Sequence, residues 1–137
     1  REEDFVARVR ALTDGRGVDI AYDSVGGDTF SGSLDCLADR GHLVNFGQSS
    51  GPVAPFEISR LSRGSYSLTR PMLFHYTAGR ERLLAMSNAL FAAFEDGTLA
   101  TPDPTVFPLA EAAAAHAALE ARRTTGSVIL EPVAGRS

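Results

Sequence analysis

The chain has 137 residues, 44% hydrophobic and 22% charged, with a net charge of −4. That is the size of an ordinary domain, and an acidic balance without a basic block argues against nucleic acid as a partner. No apolar run approaches the roughly 20 residues of a membrane helix, all 13 cations are arginine so no lysine offers Schiff-base or phosphate-loop chemistry, and the single Cys36 allows no internal disulfide.

Arg1 to Leu12 reads as an amphipathic helix, with Phe5, Val6, Val9 and Leu12 at helical spacing. Acids lie in its first turn and arginines later, matching the macrodipole, and Gly15 suits the C′ position. Gly15-Arg16-Gly17 is not a dinucleotide fingerprint, because it follows a helix, precedes a strand and lacks a third glycine at the right offset. Val18 to Tyr22 is a short strand. It enters the glycine-rich turn Asp23-Ser24-Val25-Gly26-Gly27-Asp28-Thr29, where Asp28 is placed to cap a helix covering Phe30, Leu34 and Leu37, with Cys36 inside it.

Arg40-Gly41 closes that helix, and Leu43 to Phe46 reads as a buried parallel strand. It runs into Gly47-Gln48-Ser49-Ser50-Gly51. Gly47 lacks a Cβ, so the backbone there can approach a flat ligand or take positive φ. Gln48, Ser49 and Ser50 supply hydrogen-bonding groups. The stretch reads equally as a polar surface loop after a core strand. The order helix, strand, helix, strand implies βαβ units, and right-handed crossovers put both glycine turns on one sheet edge, where ligands bind.

Downstream, a short helix is expected around Glu57 to Leu61, a third strand at Ser65 to Arg70, and a long helix from Gly79 to Asp96 ended by Gly97. Thr98 to Phe107 reads as an extended edge strand, Pro108 to Ala121 as an alanine-rich helix with Pro at its start, and Ser127 to Leu130 as a last strand. Arg136 and Ser137 read as a loose tail. His42, His75 and His116 are scattered, so no metal site is expected. Tyr66, Tyr76 and His75 are acid-base candidates by residue type alone. No charged-then-apolar leader opens the chain, and a cytoplasmic location is expected.

The ordered set Asp23-Ser24-Val25-Gly26, Phe46-Gly47-Gln48-Ser49-Ser50-Gly51, Ser67-Leu68-Thr69-Arg70-Pro71, Phe107-Pro108-Leu109 and Gly126-Ser127-Val128 resembles the zinc-free quinone oxidoreductases of the medium-chain dehydrogenase/reductase superfamily, the zeta-crystallin type. The resemblance implies an α/β fold: the second half of a Rossmann-type parallel sheet flanked by helices (residues 1–98), then a strand-helix-strand segment (residues 99–137) that returns to a catalytic domain. It implies that the pyrophosphate loop and most of the substrate site lie upstream. It further implies NADPH as cofactor, with NADH left open, and hydride transfer to a quinone or an α,β-unsaturated carbonyl.

By position, Ser24, Val25 and Gly26 would border the cofactor ribose, and Phe46, Gly47, Gln48 and Ser49 the nicotinamide half. Leu68 and Thr69 would offer backbone near the carboxamide, and Arg122 would reach the cofactor. Phe46 also reads as core, and Arg122 as a complement to a helix C-terminus. No catalytic residue is assigned, the isolated stretch is expected to be inactive, and a homodimer through the third strand is expected. An enoyl reductase module of a larger synthase and a non-catalytic oligomerisation chain stand as alternatives.

Overall fold

The computed structural model describes residues 4–132. The acidic first turn read at Glu2 and Glu3 and the tail at Arg136 and Ser137 lie outside the described residues. The chain separates into two compact units, residues 1–83 and 84–137.

The first unit opens with α1 (Phe5–Leu12), capped by Asp4, whose carboxylate accepts from the Val6 and Ala7 amides. The turn after α1 puts Asp14 at φ 51° and Gly15 at φ 82°, so Asp14, not Gly15, is the residue next after the cap. Arg10 ties this helix to the next, donating to the carbonyls of Gly15, Asp35 and Leu37. β1 (Val18–Asp23), β2 (Leu37–Asn45) and β3 (Ser67–Thr69) form one parallel sheet in the order β1-β2-β3. This is the βαβ arrangement implied by the alternating elements.

Between β1 and β2 lies α2 (Phe30–Asp35), shorter than its sequence suggests. Thr29 rather than Asp28 occupies the cap position, and Cys36 sits at the far cap, not within the helix. Leu37 belongs to β2, pairing with Val18. The strand therefore starts six residues earlier than the apolar run Leu43 to Phe46 indicates. It stops at Asn45, leaving Phe46 just beyond it. Two breaks disguise the early start: Arg40 takes φ 63°, and the register jumps from Val18↔Leu37 to Ile20↔His42, a bulge.

Phe30, Leu34, Leu37 and Leu43 form the core, with Val18, Ala21, Val53, Phe56, Leu61 and Tyr66 packed against it. Phe30 and Phe56 meet edge to face at 5.3 Å. Segment 52–66, which includes a 3-10 helix (Ile58–Arg63), thus closes the core. After β3 come α3 (Leu73–Tyr76) and α4 (Arg80–Glu95), within which the division between units falls. Gly97, at φ 78°, ends α4.

In the second unit, β4 (Thr105–Pro108) and β5 (Val128–Glu131) pair in parallel, joined by a 3-10 turn at Leu109–Glu111 and α5 (Ala112–Glu120). Pro108 ends β4 rather than opening α5. Ala115 and Ala118, three residues apart on one face of α5, are buried.

Candidate functional site

The carboxyl ends of β1 and β2 carry the two glycine turns side by side. The Phe46 and Gly47 amides donate to Asp23 O, the Ser49 amide to Ser24 O, the Ser50 amide to Val25 O, and the Gly27 amide to Gly51 O, at 2.9 to 3.3 Å. Close packing replaces side chains where the turns touch. A Cβ on Gly26, which has φ 87°, would lie 2.8 Å from Gln48 Cα and 2.9 Å from Gly51 O. A Cβ on Gly47 would lie 2.8 Å from Ser24 Cα and closer still to its carbonyl oxygen. Gly47 is therefore required by the neighbouring turn, and its φ is not in the left-handed region. The reason suggested by the sequence, room for a flat ligand, is not what the packing shows.

Two side chains fasten this double turn. Asp23, 4% exposed, accepts at Oδ1 from the Val25 amide (2.8 Å), the Gly26 amide (3.0 Å) and the Thr29 hydroxyl (2.9 Å). Burial pushes its carboxyl up, but hydrogen bonds from Gly26, Thr29 and Val25, helped by Ser33, outweigh that and hold it below the ordinary carboxylate range. Its Oδ2 is buried without a hydrogen-bond partner. Ser50 Oγ accepts from the Asp28 amide (3.0 Å) and donates to Val25 O (2.8 Å). The sequence presents Ser50 as a hydrogen-bonding group of its loop, but gives neither it nor Asp23 the task of joining the two turns. For Asp23 the available signal was an Asx turn: an aspartate whose side chain meets amides two and three residues on.

With the backbone so committed, the candidate residues sort by what they leave free. Ser24, Phe46, Gln48 and Ser49 are exposed at the sheet edge, Phe46 by 52%. Val25 is half-buried and Gly26 buried, so each presents main chain at most. Gln48 and Leu68 come together with Asn45, Phe30, Phe56 and Arg70 around a cleft of about 300 Å³. Thr69 lies beside it on β3, paired with Val44 in the sheet, its hydroxyl engaged with His42 Nε2 at 2.6 Å. Arg70, also missed in the sequence, is held by a bond from Nη1 to Asn45 O (3.0 Å).

Arg122 belongs to the second unit. Its amide donates to Leu119 O and that of Arg123 to Ala118 O, both at 3.0 Å, so α5 ends in a Schellman motif. Arg122 fills the position glycine usually takes, at φ 54°.

A family profile described as zinc-binding dehydrogenase matches residues 1–130. The chain belongs to that family. It is 49% identical over 131 residues to the quinone oxidoreductase of Pseudomonas aeruginosa, covering 95% of this chain and 40% of that protein. It is 43% identical to the 2-haloacrylate reductase of a Burkholderia species, covering 96% of this chain and 40% of that protein. The crystal structure of Escherichia coli quinone oxidoreductase complexed with NADPH superposes with a TM-score of 0.84 at 44% identity, over 96% of this chain and 41% of that one. The chain thus spans about two-fifths of the length of these relatives, and its sheet corresponds to part of their Rossmann-like domain.

The family description names zinc. Among the described residues no three His, Cys, Asp or Glu side chains come together, and the Cys36 thiol is buried and pushed up by that burial. Zinc does not fit the described residues.

Proposed function

We propose that this chain is the C-terminal cofactor-binding portion of an NADPH-dependent oxidoreductase acting on a quinone or an α,β-unsaturated carbonyl. The observation that carries the reading is the double turn. Two loops on one carboxyl edge of a parallel sheet are bonded into a single surface, at the place where open α/β sheets bind ligands. Similarity to an NADPH-bound quinone oxidoreductase supports the choice of cofactor, and similarity to a haloacrylate reductase supports an activated C=C bond as an acceptor.

The donor set fits the nicotinamide half of a dinucleotide. Phe46 offers an exposed ring, and Ser24, Gln48 and Ser49 offer hydroxyl and amide groups to ribose and carboxamide. When bound, the cofactor supplies a hydride; the protein's part is to hold the ring and exclude water. Asp23 and Ser50 do not reach the ligand in this scheme. They keep the turns from separating.

Domain limits of 1–98 and 99–137, a cytoplasmic, zinc-free enzyme and a homodimer through β3 belong to the same proposal, as does weak NADPH binding by the isolated chain. Fluorescence titration of NADPH against the enzyme that carries this chain tests it. Phe46→Ala and Gln48→Ala should weaken binding by about tenfold each. Unchanged affinity in both, with the fold intact by circular dichroism, would overturn the placement.

A further inference from the structure

Beyond the double turn, the carboxyl end of β3 opens into a second pocket of about 270 Å³, bounded by Thr69, Arg70, His75, Tyr76 and Arg82 with Pro71 and Met72. Its lining carries two guanidinium groups, an imidazole and two hydroxyls, and no acid among the described residues. In a chain with net charge −4, an acid-free basic hollow runs against the general field.

The cations are arranged for a ligand rather than for each other. Arg70 is held by one bond to Asn45 O, leaving the remaining N–H groups of its fork for another acceptor. Arg82 lies over the Tyr76 ring, its Cζ 5.6 Å from the centroid, so the ring holds the guanidinium at the pocket without using its N–H donors as a carboxylate partner would. Arg82 also stands in the first turn of α4, beside Arg80 and with only Glu81 as an acid. Cations at a helix N-terminus oppose the macrodipole. An anion held between Arg70 and Arg82 offsets that penalty.

We propose that this pocket binds a small oxyanion, a carboxylate or a phosphate. Arg70 also lines the cleft that holds Gln48 and Leu68. A carboxylate here would therefore belong to an acceptor lying next to the nicotinamide half. That assignment rests on the cofactor reading above; the oxyanion site itself does not, since it needs no nucleotide.

Nitrogen-15 NMR titrations of the 137-residue chain separate the cases, using sodium acrylate, its neutral methyl ester and inorganic phosphate without any nucleotide. Saturable shifts confined to residues 69–82 with acrylate or phosphate, absent with the ester and falling with added salt, are expected. Stronger binding of acrylate identifies an acceptor carboxylate, and stronger binding of phosphate a phosphorylated ligand. Arg70→Gln and Arg82→Gln should each weaken the anion by about tenfold or more. Arg82 makes no hydrogen bond that the fold depends on, so its variant keeps the test valid if Arg70→Gln unfolds. Equal shifts with the ester, no saturation with either anion, or unchanged binding in the Arg82 variant would overturn the proposal. NADPH titration of the same variants in the complete enzyme then tests the cofactor reading by itself.

Discussion

The main chain of Ser24 occupies the space that a Cβ on Gly47 would need, its Cα 2.8 Å from that position. Backbone cannot move aside as a flexible side chain can. Gly47→Ala should therefore destabilise the fold by about 2 kcal/mol or more, and Gly47→Val by more still. Urea denaturation measures this. A variant as stable as the parent would show that the two turns part easily.

The adjacent serines should behave differently. Ser50 Oγ bridges the two turns through Asp28 and Val25, so Ser50→Ala should cost about 1 kcal/mol. Ser49 bonds to Ser24 through its amide alone, and Ser49→Ala should fall within about 0.5 kcal/mol of the parent. The same denaturation series decides between them, and equal losses would contradict the bridge.

Asp23 gives the fold an acid limit. Its carboxyl is held below its unfolded value, near 3.9, by the hydrogen bonds from Gly26, Thr29 and Val25, which exceed the opposing effect of burial. The folded state thus binds a proton less readily than the unfolded one. The resulting stability is fully present above about pH 5 and is lost as pH falls through 4 and below. Thermal melts from pH 7 to pH 3 should show a smaller fall for Asp23→Asn than for the parent. Equal slopes would mean the group does not carry its charge in the fold.

Arg122 should trade stability for binding. At φ 54° in a Schellman position, it holds a conformation that favours glycine. Arg122→Gly should stabilise the chain by about 1 kcal/mol, read from the unfolding midpoint. If the arginine is kept for the cofactor, the same change in the complete enzyme should raise the Kd for NADPH. Greater stability with unchanged affinity would make Arg122 a residue of no special role.

The sheet edges bear on assembly. β1 has β2 on one side and no strand on the other among the described residues, with Ile20 51% and Tyr22 73% exposed. Such an edge is a template for pairing. Sedimentation at low micromolar concentration should show self-association that Ile20→Lys and Tyr22→Lys reduce. A compact monomer throughout would contradict it.

The order of elements was legible because apolar runs and glycine turns alternate clearly between Val18 and Phe46. The limits of β2 were not. Arg40 and Gly41 look like a helix ending, whereas they form a bulge inside a strand already under way at Leu37. Exposed candidates such as Gln48 and Ser49 were readable from residue type and position. Ser50 was readable only as a hydrogen-bonding group of its loop and Asp23 only through its Asx turn; that Ser50 and Arg70 act on main chain 25 residues away is what only the fold reveals.

Gly26 packs on Gln48 and Gly51 as Gly47 packs on Ser24, so each turn is the mould for the other. An insertion or a bulkier residue in one is tolerable only with a matching change in its counterpart. Over evolutionary time the two segments should be inherited as a unit, and a graft of either alone into a related scaffold should fail where a graft of both succeeds.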